Sequence, residues 1–369
     1  MKEIYYLAYY DNLNSEKVRN VSPAAVNLVN YVLSKLSDAG YKTNIISFAT
    51  TNKKGNYPHG KSQIEEFNAT LKLFRFNYSP STIIRKIRYL FFYIRAVIYL
   101  FINIKRNSTL IIYHSIYFNF IPKILKKIKK VKIVYQIMEI YGDVLNNSKI
   151  RRRELSNFKI GDSFILANNN ISKYIASDKF TIIHGPYTAR NNLEEREQKN
   201  IVNCVYSRTF DITKGVINAI EAFEYLDDNY QLHIMGFGSE SEILAVKKAI
   251  EQSKNKNIYF HGLLLGNEYE KFLKKCDIGL SPQYSDALYN NTSFPSKIIT
   301  YMSYGLQVVS SNIEIIRNSK VAKSIFFTLD DSPKTLAKVI VKAHKNKKDV
   351  ISELKELDVN FSNELIKLI

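Results

Sequence analysis

A chain of 369 residues, 46% of them apolar, argues for two domains and is ample for two hydrophobic cores. Its net charge of +19 is carried entirely by the first 190 residues, where 30 Lys and Arg stand against 11 Asp and Glu; from residue 191 onward the numbers are 23 and 23. The two cysteines, Cys204 and Cys276, have the wrong spacing for a disulfide framework or a zinc site and read as small buried hydrophobes.

Ile4-Tyr5-Tyr6-Leu7 reads as a first strand, not a signal peptide, and so predicts a cytoplasmic location. Ser22-Pro23 then supplies an N-cap and a proline at the first helical position for a helix running through Val26, Val29, Leu33 and Leu36 to Gly40. Tyr41 to Phe48 is the next strand, and strand–helix–strand favours a parallel sheet. The first turn lacks the glycine-rich dinucleotide fingerprint, which disfavours a nicotinamide or flavin enzyme. Thr50 to Ser62, rich in Lys, Asn and Gly, reads as a loop.

Ile83 to Ile104 is the most apolar segment, with Arg85, Arg88, Arg95 and Tyr99 at helical spacing along one stripe. With Arg95 at its centre, no apolar run reaches the roughly 18 residues a spanning helix needs. Two placements fit: a helix at a membrane interface, or a nearly buried helix on the sheet with its arginine stripe outward. Lys123, Lys126, Lys127, Lys129, Lys130 and Lys132 follow, then Arg151 to Arg153. These basic clusters suit a solvated face, anionic lipid or nucleic acid. Most of the 26 tyrosines fall in apolar strands and helices, and no nucleic-acid motif appears. An anionic membrane surface is therefore the expected partner, and nucleic acid is not.

Further strands are expected at Thr109 to His114, Val131 to Ile137 and Ser163 to Ala167, with Thr181-Ile182-Ile183 ending at His184-Gly185-Pro186. His114 and Glu139 are titratable residues at strand ends. Neither has a partner at metal-ligand spacing, and no metal is expected.

In the second half, Ile201 to Ser207 is a strand that runs into Arg208, and Lys214-Gly215 opens a helix through Val216, Ile217, Ala219, Ile220 and Phe223. Gln231 to Gly238 is a strand ending on Gly236 and Gly238, and Asn257 to Gly262 is another. Then come Cys276-Asp277-Ile278-Gly279-Leu280-Ser281-Pro282, the turn Ser293-Phe294-Pro295-Ser296-Lys297, and Tyr301-Met302-Ser303-Tyr304-Gly305-Leu306-Gln307-Val308-Val309. Cations placed where strands end and helices begin suit a phosphate or diphosphate, because a helix start offers unpaired N–H groups and the positive end of a dipole.

This order of motifs resembles the nucleotide-sugar-binding domain of GT-B glycosyltransferases of the retaining family four type, in a variant with a Phe-Pro-Ser-Lys donor turn. The resemblance implies an α/β protein of two Rossmann-like domains facing each other across a cleft. It places an acceptor domain at residues 1–190, a donor domain at 191–350 and a helical tail at 351–369 that crosses back, with 191–200 as the other crossing. It also implies a metal-independent enzyme with no cofactor, moving a sugar with retention from a UDP- or GDP-sugar to a glycan or lipid-linked glycan acceptor in surface-polysaccharide synthesis. Arg208, Lys214 and Lys297 would stabilise the departing diphosphate, and Glu139 would lie near the donor sugar. Gly236, Gly238, Gly262, Ser293, Phe294, Pro295, Ser296 and Thr300 would bind the nucleotide, with Ser296 both N-cap and phosphate contact. Many members carry two glutamates with seven residues between them, where this chain has Thr292 and Thr300. A catalytically silent subunit that assists a partner transferase, or a nucleotide-sugar epimerase on the same fold, are the alternatives.

Overall fold

In the computed structural model, residues 2–15, 17–118, 120–190, 201–286 and 288–369 are described. Their strands form two sheets. The first contains β1 (Glu3–Ala8), β2 (Lys42–Ser47), β3 (Gly60–Ile64), β4 (Ala69–Leu73), β5 (Thr109–Tyr113), β6 (Lys132–Ile137), β7 (Ser163–Leu166) and β8 (Phe180–Ile182). Its order is β3-β4-β2-β1-β5-β6-β7-β8, and every pairing is parallel except β3 with β4. The second contains β9 (Val202–Ser207), β10 (Tyr230–Met235), β11 (Ile258–Gly262), β12 (Ile278–Ser281), β13 (Gln307–Ser310) and β14 (Ile325–Phe327). It is parallel throughout, in the order β11-β10-β9-β12-β13-β14.

These sheets follow from the strands' composition. A parallel sheet is covered by helices on both faces, so its strands are apolar runs buried on both sides. Tyr6, Leu7, Leu110, Ile112, Ile133 and Phe164 are fully or almost fully buried in the first sheet, as are Cys204, Tyr206, Leu232, Ile234 and Leu280 in the second. Both cysteines are free and buried. Burying a polar group requires a partner, and Tyr6 finds one by donating its hydroxyl hydrogen to the Gln136 side-chain oxygen on β6.

The chain divides into two units, one of Met1–Ala167, Ile171–Pro186 and Phe361–Ile369, the other of Asn168–Asn170 and Tyr187–Asn360. The last helix, Val350–Leu368, therefore begins in one unit and ends in the other. In the first unit its end is held by Ser163, whose hydroxyl donates to the Leu368 carbonyl at 3.0 Å, and by a hydrogen bond between Thr181 and Glu364. The crossing expected at 191–200 lies outside the described residues.

Two expectations are corrected. Residues 60–62, expected in a loop, belong to β3, an edge strand of sequence Gly-Lys-Ser-Gln-Ile whose polar composition hides it from pattern reading. The helix Thr82–Asn103 does pack Phe92, Ala96 and Leu100 into the core, but it is far from buried. Ile83, Phe91 and Ile102 are 72%, 63% and 74% exposed. Its arginines do not make a free outward stripe. Arg88 donates to the carbonyls of Asn77 and Tyr78 at 3.1 and 3.0 Å, and Arg95 to that of Arg75 at 2.7 Å. A guanidinium has five donors, and the irregular 75–78 segment offers carbonyls that take them.

Candidate functional site

β9 and β12 are neighbours, with Ile278 opposite Cys204 and Gly279 opposite Val205. They end on Ser207 and Ser281, the carboxyl ends at which open α/β sheets bind ligands. Arg208 follows β9 and donates from Nη1 to the Ser281 hydroxyl oxygen at 3.1 Å. The Ser207 amide donates to the buried Tyr301 hydroxyl oxygen at 2.9 Å, and the Ser207 hydroxyl donates to that of Tyr269 at 3.0 Å. Tyr269 Oη also accepts from Lys297 Nζ at 3.0 Å, and the same ammonium lies 4.6 Å from the Tyr269 ring centroid. Arg208 and Lys297 are thus tied by short hydrogen-bonded paths to the adjoining ends of two strands.

The turn that carries Lys214 packs beside the same strand ends. The Asp211 carboxylate accepts from the Thr213 amide at 2.9 Å and caps the single turn Ile212–Lys214. Gly215 then takes φ +79°, and a Cβ there would meet the Pro282 carbonyl oxygen at 1.8 Å. The Tyr284 amide donates to the Thr213 carbonyl at 3.0 Å. The Lys214 turn is therefore pressed against the residues that directly follow Ser281, the partner of Arg208. Only glycine permits so close a backbone approach.

The glycines expected to bind nucleotide have a structural reason of their own. Gly236 sits at φ +149°, and a Cβ there would be 1.8 Å from the Arg208 carbonyl oxygen. At Gly238 the added atom would be 3.1 Å from Phe210 Cβ. Hydrogen bonds from the Arg208 amide to Met235 at 3.2 Å and from Phe210 to Phe237 at 2.9 Å zip the two segments together. Gly236 seats the arginine loop and its lack of a side chain is required by the Arg208 carbonyl, whereas at Gly238 the nearest atom would be the movable Glu242 carboxylate oxygen at 2.8 Å. Gly262, at φ +66° with room for an added Cβ beside the Phe260 ring at 3.9 Å, accepts from the Gly236 amide at 2.8 Å.

In the Ser293–Ser296 turn, Phe294 and Pro295 are buried, Ser293 is half-buried and Ser296 is exposed. Ser296 occupies the N-cap position of the helix Lys297–Ser303, but its side chain makes no capping hydrogen bond, a correction to the expected cap. Its φ −56°, ψ −18° is already helical, whereas a capping hydroxyl needs an extended backbone. Thr300 is half-buried one turn on, with Oγ1 3.5 Å from the Ser296 carbonyl oxygen. Thr292 is buried, and its Oγ1 has no hydrogen-bond partner among the described residues.

Glu139 and His114 belong to the first unit, apart in the chain from the three cations of the second. Glu139 follows β6 half-buried, and burial first, then its charge, raises the Tyr141 hydroxyl. His114 is buried with Nε2 2.7 Å from Glu154 Oε1. Glu154, fully buried, also accepts from the amides of Tyr141 and Gly142 at 2.9 and 2.6 Å. His114 is therefore part of a scaffold under the segment that follows Glu139. Among the described residues no three His, Cys, Asp or Glu side chains cluster as ligands for a metal ion.

The sequence reading missed Tyr269, which lies mid-helix outside any motif, and the linking roles of Ser207 and Ser281, although both stood in strands it had identified.

Residues 202–346, within the second unit, match the family model described as glycosyl transferases group 1. No curated protein sequence matches the chain. Solved structures match along its whole length. Sucrose-phosphate synthase from Thermosynechococcus elongatus is 11% identical with a TM-score of 0.67, covering 100% of this chain and 95% of its own. The α/β fold is that of GT-B glycosyltransferases. HepE from Anabaena, in complex with UDP, gives 0.64 at 12% identity over 100% and 97%. A UDP-forming trehalose-phosphate synthase from Burkholderia xenovorans, in complex with glucose-6-phosphate, gives 0.65 at 11% identity over 99% and 100%.

Proposed function

We propose that this GT-B chain is a glycosyltransferase that moves a hexosyl unit from a UDP- or GDP-sugar to a glycan or lipid-linked glycan acceptor in surface-polysaccharide synthesis. The observation that carries the reading is that Arg208 and Lys297 are tied to the carboxyl ends of β9 and β12, with the turn bearing Lys214 packed against the residues that follow β12. UDP in the structure of HepE and the group 1 match over residues 202–346 support a nucleotide-sugar donor.

As the bond from the sugar to the diphosphate breaks, the leaving group gains negative charge. Cations already held in place stabilise that charge more in the transition state than in the ground state, which is the condition for raising turnover. Ser281 and Tyr269 do the holding here. Arg208 and Lys297, with Lys214 on the adjoining turn, supply the neutralisation without a metal ion. The acceptor hydroxyl enters on the face the diphosphate leaves, so the anomeric configuration is retained. A phosphate oxygen takes its proton.

Thermal-shift screening against UDP- and GDP-sugars, followed by a transfer assay on the stabilising donor, tests the reading. The expected result is stabilisation by one nucleotide class and product only when acceptor is added. Lys214→Ala is expected to reduce turnover on the order of a hundredfold. Stabilisation without transfer or hydrolysis would favour the assisting subunit, product without acceptor would favour the epimerase, and no stabilisation by any nucleotide would end the donor assignment.

A further inference from the structure

The helix Thr82–Asn103 exposes large apolar side chains at Ile83, Ile87, Leu90, Phe91, Ile94 and Ile98. At about 100° per residue these fall within a single arc of about 120°, and from Ile83 to Ile102 the row runs roughly 28 Å along the axis. Arg88 and Arg95 border one side of the arc and Lys86 the other. Such a face, apolar and flanked by cations, is far longer than the isolated exposed hydrophobics normal on a soluble surface.

A second helix, Ile121–Lys129, runs beside it. Tyr93 donates its hydroxyl hydrogen to the Tyr117 carbonyl, and its ring lies 6.0 Å from that of Phe120. At the other end Lys129 Nζ donates to the Ile104 carbonyl at 2.6 Å. Tyr117, Phe120, Ile124 and Ile128 are exposed, as are Lys123 and Lys127 between and beside them. Between Glu66 and Glu139 the sequence contains fourteen Lys and Arg and not one acidic residue.

We infer that this face, the outward side of Thr82–Asn103 with the adjoining edge of Ile121–Lys129, lies in the headgroup region of an anionic lipid bilayer. The helices lie flat with the isoleucine row in the acyl boundary and the lysines against the headgroups. Charge selects this occupant. A second copy of the chain would bring two strongly basic surfaces face to face, whereas anionic lipid offers hydrocarbon and negative charge in one plane. No described helix is long and apolar enough to cross a membrane, so the helix lies on the bilayer and does not span it. The inference rests on the first unit alone and does not need the transferase assignment.

The test is flotation of the full chain with vesicles of phosphatidylcholine containing about one third phosphatidylglycerol, beside vesicles of phosphatidylcholine alone. Wild type is expected to float with the anionic vesicles and to be lost from them at high salt. Ile87→Glu/Ile94→Glu is expected to lower the partition coefficient about tenfold or more through the apolar row. Lys123→Glu/Lys127→Glu is expected to do the same through charge alone. All four residues are exposed, so unfolding temperatures should match wild type. Wild type that stays in solution with anionic vesicles, or a folded isoleucine variant that floats like wild type, would overturn the inference. So would an oligomer that dissociates on Ile94→Glu while vesicle binding is absent.

Discussion

Lys297 Nζ is held 3.0 Å from the hydroxyl oxygen of Tyr269 and 4.6 Å from the centroid of the same ring. One aromatic side chain thus fixes the cation by a hydrogen bond and by its π-face, and Ser207 fixes the tyrosine in turn. Lys297→Ala removes a charge from the proposed diphosphate site and is expected to lower turnover on the order of a hundredfold to a thousandfold, or about 2.7 to 4 kcal/mol. Tyr269→Phe keeps the ring but loses the bridge, and a smaller loss of about tenfold, mainly in kcat, is expected because the ammonium is less well placed. Steady-state kinetics on the donor found by screening would separate the two. Wild-type kcat/KM in Lys297→Ala would remove this lysine from the mechanism.

Gly236→Ala tests whether the arginine loop is seated as described. Both φ +149° and an added Cβ 1.8 Å from the Arg208 carbonyl oxygen forbid the change without movement. The strain alone is expected to cost about 1 to 3 kcal/mol, and displacement of residues 208–210 should also break the Arg208–Ser281 bond. Weaker nucleotide binding should accompany the lower stability. Gly40→Ala is the control, since Gly40 has φ +79° but nothing within 4 Å of the new atom. It should lose stability in urea titration and keep nucleotide affinity.

Much of this was legible from residue type and order. The two mostly parallel sheets follow from β-branched runs alternating with capped helices, and Arg208, Lys214 and Lys297 stand in the sequence just after a strand or where a helix begins. What was not legible depends on contacts distant in sequence. The helix Thr82–Asn103 is apolar on two sides, and pattern alone does not tell whether Phe92, Ala96 and Leu100 or the isoleucine row faces the core. In the structure the carbonyls of Asn77 and Tyr78 take Arg88 and that of Arg75 takes Arg95 on one flank of the helix. Tyr269 was hidden for a similar reason, because only the third dimension brings its helix to Ser207 and Lys297. His114 was visible as a strand-end histidine, but its buried partner Glu154 lies 40 residues on.

Glu154→Ala should be among the most damaging changes in the first unit. The fully buried carboxylate takes hydrogen bonds from the Tyr141 and Gly142 amides and lies 2.7 Å from His114 Nε2. Its loss would leave two buried amides and an imidazole without partners, at an expected cost of about 3 to 5 kcal/mol. Glu154→Gln keeps an acceptor of the same shape and should recover part of it. Urea titration checks both, and an Ala variant within 1 kcal/mol of wild type, as measured to about that precision, would show that the segment finds other partners.

Stability of the second unit should depend on pH through two histidines on neighbouring strands. His233 Nδ1 lies 3.0 Å from His261 Nε2, and His233 Nε2 lies 3.0 Å from Asn203 Oδ1. Burial, then the neighbouring His261, pushes His233 down to about 4, and burial lowers His261 as well. The folded unit therefore keeps both rings neutral where free imidazoles, with pKa about 6.5, take up protons. Below that value the unfolded chain binds more protons than the folded one, so stability is full above about pH 6.5 and falls as the pH drops toward 4. Urea midpoints at pH 7 and pH 5 should differ for wild type, with the lower midpoint at pH 5. His233→Gln keeps a side chain able to hydrogen-bond Asn203 but removes the titrating ring with the larger shift, and its two midpoints should lie closer together. An equal pH dependence in wild type and variant would place the proton uptake elsewhere in the chain.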